Sequence, residues 1–320
     1  MLIVRHPGRV PAPARGAVVA LGNFDGLHRG HRAVIGEARA IALRLGAPWG
    51  VVTFEPHPRQ VFQPTTVPFR LTPFRAKARL VAELGADALF ALRFGPHLAG
   101  MLAQDFVAGV LVQGLGVRHV VTGPEFVFGK GRRGNAYVLD HMAAMEGFGY
   151  TQVPAFSFAG EACSATAVRV LLRRGQVAEA ALRLGRYWEF EGRVAHGQKL
   201  GRQLGFPTAN LKVEGRLHPD PGIYAVRAAL PGPDGVAWHD AVASLGTRPT
   251  VNGRGLLLEV FLFDFAGDLY GRRLRVAFVE RIRKELRFDG LDALKAQIAD
   301  DCAQARRILA NAGARAAFAG

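Results

Sequence analysis

Five short apolar runs mark the first half of the chain: "AVVAL" at 17–21, "WGVVTF" at 49–54, "ADALFAL" at 86–92, "RHVVTG" at 118–123 and "YTQVPAF" at 150–156, with helical patterns between them. Strands that alternate with helices pair in parallel, because each helix carries the chain back along the sheet before the next strand begins. After the first run, His31, Val34, Ile35, Ala38, Ile41, Ala42 and Leu45 follow i, i+3, i+4, i+7 spacing, which predicts an amphipathic helix stopped by Gly46. Two further helical stretches, 164–175 and 176–185, follow the fifth run. From Tyr187 the texture changes to strand-like pieces at 187–197, 222–230, 237–246, 256–265 and 272–282, separated by Gly and Pro. Consecutive strands without helices between them predict an antiparallel barrel or sandwich. A stripe of Leu291, Leu294, Ile298, Cys302, Ala305 and Leu309 predicts one closing helix. The expected class is α/β, with a parallel-sheet domain over 1–185 and an antiparallel domain over 186–320.

At 320 residues the chain can build two cores, and 49% apolar with 21% charged residues is the balance of a globular protein. No apolar run approaches the roughly 20 residues of a membrane span, and the N-terminal stretch has no hydrophobic leader segment. The expectation is a cytoplasmic protein without a membrane partner. Cys163 and Cys302 show neither metal-ligand nor disulfide spacing. The net charge of +15 points to an anionic partner: nucleic acid, a membrane surface or phosphorylated small molecules. The basic residues are scattered and form no run interleaved with aromatics, which disfavours nucleic acid and leaves phosphorylated small molecules in front. A basic nucleic-acid-binding module remains the rival from another class, and homo-oligomerisation is left open.

The stretch "GNFDGLHRGH" at 22–31 places a glycine turn and two histidines where a strand gives way to a helix. Unpaired backbone N–H groups and the positive end of the helix dipole attract an anion at such a junction. Gly22, Asn23 and Phe24 form the turn, Gly30 lets backbone approach closely, and His28 and His31 can both direct ring N–H groups at one phosphate. Two better-known phosphate signatures fail. Gly129, Gly131 and Gly134 fit G-x-G-x-x-G but follow "PEFVF" in the fourth unit, and "GPEFVFGKG" has one residue too many for a P-loop. Lys130, Arg132 and Arg133 can still meet phosphates.

These stretches resemble the bacterial bifunctional riboflavin kinase/FMN adenylyltransferases, or FAD synthetases. The likeness runs through "LGNFDGLHRGH", "VVTFEPHPRQVF", "RLTPFRAKARLVAELG", "FVFGKGRRGN", "SATAVR", "GQKLGRQLGFPTANL", "LGTRPT", "LEVFLFDFAGDLYG" and "RFDGLDAL", nearly the whole chain in order. It implies a Rossmann-like nucleotidyltransferase domain followed by a riboflavin kinase-like β-barrel. It implies two reactions, with ATP as co-substrate and riboflavin, FMN and FAD as substrates and products. In the first domain FMN takes the adenylyl group of ATP, His28 and His31 stabilise the charge at the α-phosphate, and Mg²⁺ bridges phosphates. The same likeness assigns Ser164, Thr166 and Arg169 to the ATP phosphates, with Ala165 replacing a serine usual in relatives. It assigns His57 and Phe128 to the flavin side, with Glu125 standing where relatives carry Asp or Asn.

In the second domain the resemblance implies that Thr208 and Asn210 of "GFPTAN" hold Mg²⁺ and ATP phosphates, under a flap containing Gly197, Lys199, Gly201 and Gly205. Glu259 stands out without family help, because "LLLEVFLFDF" is otherwise apolar until Asp264. Period-two alternation puts it on one face with Phe261, Phe263 and Phe265, where a carboxylate is costly unless it faces a site or an ion-pair partner. The likeness makes it the base that deprotonates the riboflavin 5′-hydroxyl. Arg287 and Phe288 match a segment beside the isoalloxazine ring, and Ser244 stands where relatives often have Asn. A degraded site in either domain is the alternative within the enzymes.

Overall fold

The computed structural model describes residues 1–320 apart from 65–66, 198–200, 202–203, 214, 233–234, 251–252 and 315–320. It divides into two compact units, Met1–Thr66 with Arg70–Ala165, and Val67–Phe69 with Thr166–Gly320.

In the first unit, among the described residues, six strands pair in parallel in the order β1-β4-β3-β2-β5-β6: β1 Leu2–Val4, β2 Val18–Leu21, β3 Trp49–Glu55, β4 Ala88–Arg93, β5 His119–Thr122 and β6 Gly149–Gln152. The five predicted strands are all present. The edge strand β1, which the sequence reading passed over, adds to β4. Order reverses beside β2: the chain leaves β2 toward β3 and later returns to place β5 on its other side. Crevices form at such switch points, beyond the carboxyl ends of the strands.

Helix α1, Arg29–Leu45, buries Val34, Ile35, Ala38, Ile41 and Ala42 against this sheet, and Gly46 ends it in the left-handed conformation (φ 58°), as its spacing predicts. The short α2, Pro58–Phe62, follows β3. Helix α3, Phe74–Glu83, faces the same core with Leu80 and Val81, and also with Lys77. On the opposite face lie α4 Pro96–Gly100, α5 Ala103–Asp105, a π-helical segment Phe106–Leu115 and α6 Ala136–Glu146, packed around Phe90, Phe106, Leu111 and Leu139. A small hairpin, β7 Ser157–Phe158 with β8 Glu161–Ala162, completes the unit.

Helices α7, Ala165–Arg173, and α8, Val177–Leu184, belong to the second unit, where Asp220 N–H donates to the Leu172 carbonyl (3.1 Å) and Val168, Leu172 and Leu184 are fully buried. The change of texture near Arg186 marks where strands begin. Compactness divides the chain after Ala165.

Six strands of this unit close a barrel in the order β10-β13-β12-β11-β14-β9, every pair antiparallel: β9 Trp188–Ala195, β10 Ala209–Lys212, β11 Gly222–Gly232, β12 Gly235–Thr250, β13 Gly253–Leu262 and β14 Arg273–Arg283. Closure decides between the two predicted alternatives, since a barrel leaves no edge unpaired. Its interior is filled by alternate residues, among them Tyr224, Leu211, Leu258, Val260 and Phe278. Helix α9, Leu291–Ala314, caps the outside by setting Ala305 and Leu309 on Ile223, Ala225, Val242 and Phe263. The predicted stripe is buried only in its second half; Leu291 is exposed. Asp301, not predicted inside, is buried in a bidentate pair with Arg283 (2.8 and 2.6 Å).

Candidate functional site

The turn between β2 and α1 carries the first constellation. His28 is the N-cap of α1 and 6% exposed; its Nδ1 accepts from the His31 N–H (3.3 Å). A neutral ring that accepts at Nδ1 carries its proton on Nε2, so the cap itself selects the tautomer that donates away from the helix. His31 stacks on His28 with centroids 3.6 Å apart, and Phe24 meets His31 edge-on at 5.2 Å. Two imidazoles and the first N–H groups of a helix of 17 residues thus gather at one point. A Cβ on Gly30 would stand 3.2 Å from both His28 Nδ1 and the Cys163 carbonyl, so the chain just before Ser164 lies against this helix start. Asn23 Oδ1 is shielded without a hydrogen-bond partner among the described residues, an acceptor that a ligand N–H or O–H can use.

The turn is costly backbone. Phe24 (φ 48°) and Leu27 (φ 42°) adopt the left-handed region that non-glycine residues avoid, at about 1 kcal/mol or more each. Side chains from the chain preceding and forming α3 compensate. The Asp25 carboxylate accepts from the Leu71 and Thr72 N–H groups (3.1 and 3.0 Å), and Gly26 N–H donates to Thr72 Oγ1 (2.8 Å). Lys77, fully buried, donates to the Asn23 carbonyl (2.9 Å), Thr53 Oγ1 (3.0 Å) and Glu55 Oε1 (3.2 Å). Arg70 grips Glu55 with two bonds of 2.7 Å. Burial raises the Glu55 pKa, but the Arg70 hydrogen bonds and the neighbouring positive charges outweigh it and hold the carboxyl below its usual range. Burial also lowers the Lys77 pKa, against the pull of Glu55. None of this network was singled out from the sequence. Its signal was Lys77 sharing the apolar face of α3 with Leu80 and Val81.

The other predicted residues of the first domain fall as follows. His57 caps α2: its Nδ1 accepts from the Arg59 N–H (3.1 Å) and Gln60 Oε1 accepts from the His57 N–H (3.3 Å), so the ring is held in place. Phe128 is buried in a row of aromatic rings, Phe62–Phe94–Phe54–Phe106–Phe128–Phe126, with successive centroids 5.5–6.2 Å apart. Glu125 is exposed. The stretch "GKGRRG" is a turn closed by a Phe128–Gly134 bridge, not a strand-to-helix loop, which agrees with rejecting the dinucleotide reading. Thr166 and Arg169 lie on α7; Arg169 Nε donates to the Phe69 carbonyl (2.7 Å) with its guanidinium 5.4 Å from the Phe69 ring.

The second constellation is made by strand register. Glu259 on β13 stands opposite Asn210 on β10 and opposite Ser244 on β12. Cross-strand partners point to the same side, so these three side chains form a row on the barrel's outer face, half-buried at Glu259 and Ser244 and buried at Asn210. Leu258 and Val260, flanking Glu259, point inward. Phe261 shares the face of Glu259 as predicted, while β13 ends at Leu262, so Phe263 and Phe265 lie beyond the regular alternation. A Cβ on Gly197 would stand 2.3 Å from Asn210 Nδ2, and one on Gly201 2.5 Å from the Phe206 carbonyl and 3.3 Å from Thr208 Oγ1. Gly197 therefore lies against Asn210 and Gly201 against Thr208, and Phe206 packs edge-on against Phe261 at 5.6 Å. Lys199 lies outside the described residues. Phe288 sits under the Arg283 guanidinium at 5.8 Å, and Arg287 is exposed. The sequence reading missed Glu285, whose carboxylate lies over Gly246, two residues along β12 from Ser244.

Among the described residues no cluster of three His, Cys, Asp or Glu could hold a metal ion alone. Thr208 and Asn210 offer hard oxygen donors, which suit Mg²⁺ when nucleotide phosphates and water complete its shell. Among the same residues no helix is long and apolar enough to cross a membrane.

A family model described as FAD synthetase matches residues 10–167, and one described as riboflavin kinase matches 184–309. The chain is 43% identical over 311 residues to a bifunctional riboflavin kinase/FMN adenylyltransferase of Pseudomonas fluorescens, covering 97% of this chain and 98% of that one. It is 42% identical to that of Escherichia coli K12 (92% and 93% covered) and 34% identical to that of Bacillus subtilis (92% and 93%). A crystal structure described as a macrolide-efflux protein from Streptococcus pneumoniae is similar with a TM-score of 0.84 at 28% identity, over 95% of this chain and 98% of that one.

Proposed function

Because the chain belongs to the bifunctional riboflavin kinase/FMN adenylyltransferase family and has both activities, phosphorylating riboflavin to FMN and adenylylating FMN to FAD, we propose how its residues divide the work. Adenylyl transfer belongs to the N-terminal domain, 1–185, and phosphoryl transfer to the barrel domain, 186–320. The observation that supports this most directly is the pairing of two unlike sites: a histidine-capped helix start in one unit and a carboxylate row in the other.

At the helix start, the FMN phosphate is already an anionic nucleophile. One of its oxygens attacks the α-phosphorus of ATP, the new P–O bond forms, and pyrophosphate leaves. The protein's part is alignment and charge stabilisation. His28 Nε2–H, His31 and the first N–H groups of α1 neutralise the oxyanion at the α-phosphate. Asn23 and Gly22 shape the turn, and Ser164, Thr166 and Arg169 are assigned to the nucleotide phosphates by family likeness. Phe128 and His57, whose ring is held by its cap on α2, are assigned to the flavin side by family likeness. Glu125 is assigned to the flavin side by the same likeness.

At the barrel, Glu259 takes the proton of the riboflavin 5′-hydroxyl as its oxygen attacks the γ-phosphorus and ADP departs. Thr208 and Asn210 would hold Mg²⁺ together with the ATP phosphates, and the ion would supply charge neutralisation there. Gly197 and Gly201 bring backbone close enough to cover them. Arg287 and Phe288 present planar groups to the flavin. The substrates are small molecules, the working compartment is the cytoplasm, and neither nucleic acid nor membrane is a partner.

The test is product analysis by chromatography after the full chain meets riboflavin, ATP and Mg²⁺. Wild type gives FMN and FAD. His28→Ala should cut FAD formation on the order of 10³-fold, since it removes both a donor and a helix cap, and FMN should accumulate. Equal loss of both products would defeat the assignment of separate sites.

A further inference from the structure

We infer that Lys77 is a positioning residue for adenylyl transfer: its buried ammonium holds the Asn23 carbonyl and so fixes the turn on which His28 and His31 are mounted. The inference rests on the reading that places adenylyl transfer at this turn. Lys77 has no exposed surface, and an ammonium so placed persists only if its protons are taken. All three are: by the Asn23 carbonyl, Thr53 Oγ1 and Glu55 Oε1. Thr53 Oγ1 also donates to the Asn23 carbonyl (3.1 Å), so two donors from two different elements converge on one backbone oxygen.

Glu55 does not require this lysine for its own sake, because Arg70 already binds both of its carboxylate oxygens. The contact that Lys77 adds is the one to the turn. Asp25 and Gly26 are tied to Leu71 and Thr72, which fixes the middle of the turn. Lys77 fixes its beginning. Between those anchors and His28 lie Phe24 and Leu27, both in the left-handed region, a conformation that relaxes unless its surroundings impose it. Residues of β3, the pair Leu71–Thr72 and Lys77 of α3 thus act as a template for the β2–α1 turn. Relaxation would move two histidines by a fraction of an ångström to an ångström, enough to lose about 10²-fold in rate without abolishing binding.

The test uses full-length enzyme, with FMN formation from riboflavin at the barrel as an internal control. Lys77→Met should lower kcat for FAD formation from FMN and ATP about 10²-fold, with KM for ATP changed less than about threefold and FMN formation kept. Because Lys77→Met leaves Glu55 with one partner fewer in a buried place, the double variant Glu55→Gln/Lys77→Met is the decisive one: it removes both charges but restores no donor to Asn23. Low FAD-forming kcat in a double variant that melts near the wild-type temperature supports positioning. Wild-type kcat there overturns it and leaves Lys77 as half of a structural ion pair. Should both lysine variants fail to fold, Thr53→Val takes a hydroxyl from the same carbonyl without unpairing a charge. A roughly tenfold fall in kcat supports the inference, and an unchanged kcat overturns it. His28→Ala separates the two levels. If it runs at the wild-type rate, the placement of the reaction at this turn fails. If it is crippled while Glu55→Gln/Lys77→Met is not, only the role of Lys77 fails.

Discussion

The two sites are built in opposite ways. Turn and histidines of the first lie within residues 22–31, on one continuous piece of chain whose secondary structure changes from strand to helix. The second has no contiguous core: Asn210, Glu259 and Ser244 come from three strands and meet only because β10, β13 and β12 pair in one register. A site made by a helix start inherits its charge preference from backbone dipoles, and side chains refine it. A site made by strand register depends wholly on side chains and pairing, since a slip of one residue would turn Glu259 into the barrel interior. The first is therefore sensitive to what props up its turn, and the second to what lies over its row.

Replacing Glu259 by Gln should break this comparison most visibly after His28→Ala. It keeps the shape of the row and removes the base, so FMN formation should fall about 10²-fold while FAD formation from supplied FMN persists. Steady-state assays with each flavin check both halves, and kinase turnover at the wild-type level would remove Glu259 from its role. A smaller effect is expected at Gly197. Gly197→Ala puts a methyl 2.3 Å from Asn210 Nδ2, which forces the backbone at Gly197 or the amide to shift, and KM for ATP in the kinase reaction should rise about tenfold. An unchanged KM would mean that the close approach over Asn210 does not serve the nucleotide.

The smallest effect concerns pH and belongs to the first unit alone. The folded pKa of Glu55 lies below its ordinary value of 4.5. The folded state then binds fewer protons than the unfolded one in that window, so the stability Glu55 contributes is present above about pH 4.5 and lost as pH falls through the folded value. Melting temperature followed from pH 6 downward should show a drop that Glu55→Gln flattens. Parallel curves for the two proteins would separate Glu55 from acid stability.

Much of the first site was legible because its signals are local. The spacing from His31 to Leu45 with Gly46 after it announced α1, and the glycine turn before His28 announced where it begins, while the cap that His28 makes is seen only in the structure. What was not legible is why the turn before it holds. Asp25, Thr72 and Lys77 are far apart in sequence, and a lysine in an amphipathic helix reads as solvent-facing until the packing of α3 is known. In the barrel, the oddity of Glu259 in an apolar strand is readable, but "GFPTAN" is too short to show a strand period, so nothing in the sequence makes Asn210 a neighbour of Glu259. The closing helix showed the reverse error. Its stripe was real, yet it packs on the barrel core from Cys302 onward, through Ala305, Leu309 and Ala312, while Leu291 is exposed.

Sequence alone determined the classes of element, the change from alternating to consecutive strands, and the strand-to-helix junction between β2 and α1. Each depends on periodicity or on backbone groups that neighbours in the chain supply. Tertiary structure alone decided that the strands after Tyr187 close into a barrel, that Asn210, Glu259 and Ser244 share one face, and that a lysine ammonium sits beneath the histidine turn. Those facts depend on register and burial, which arise from contacts between distant segments and leave no fixed spacing in the chain.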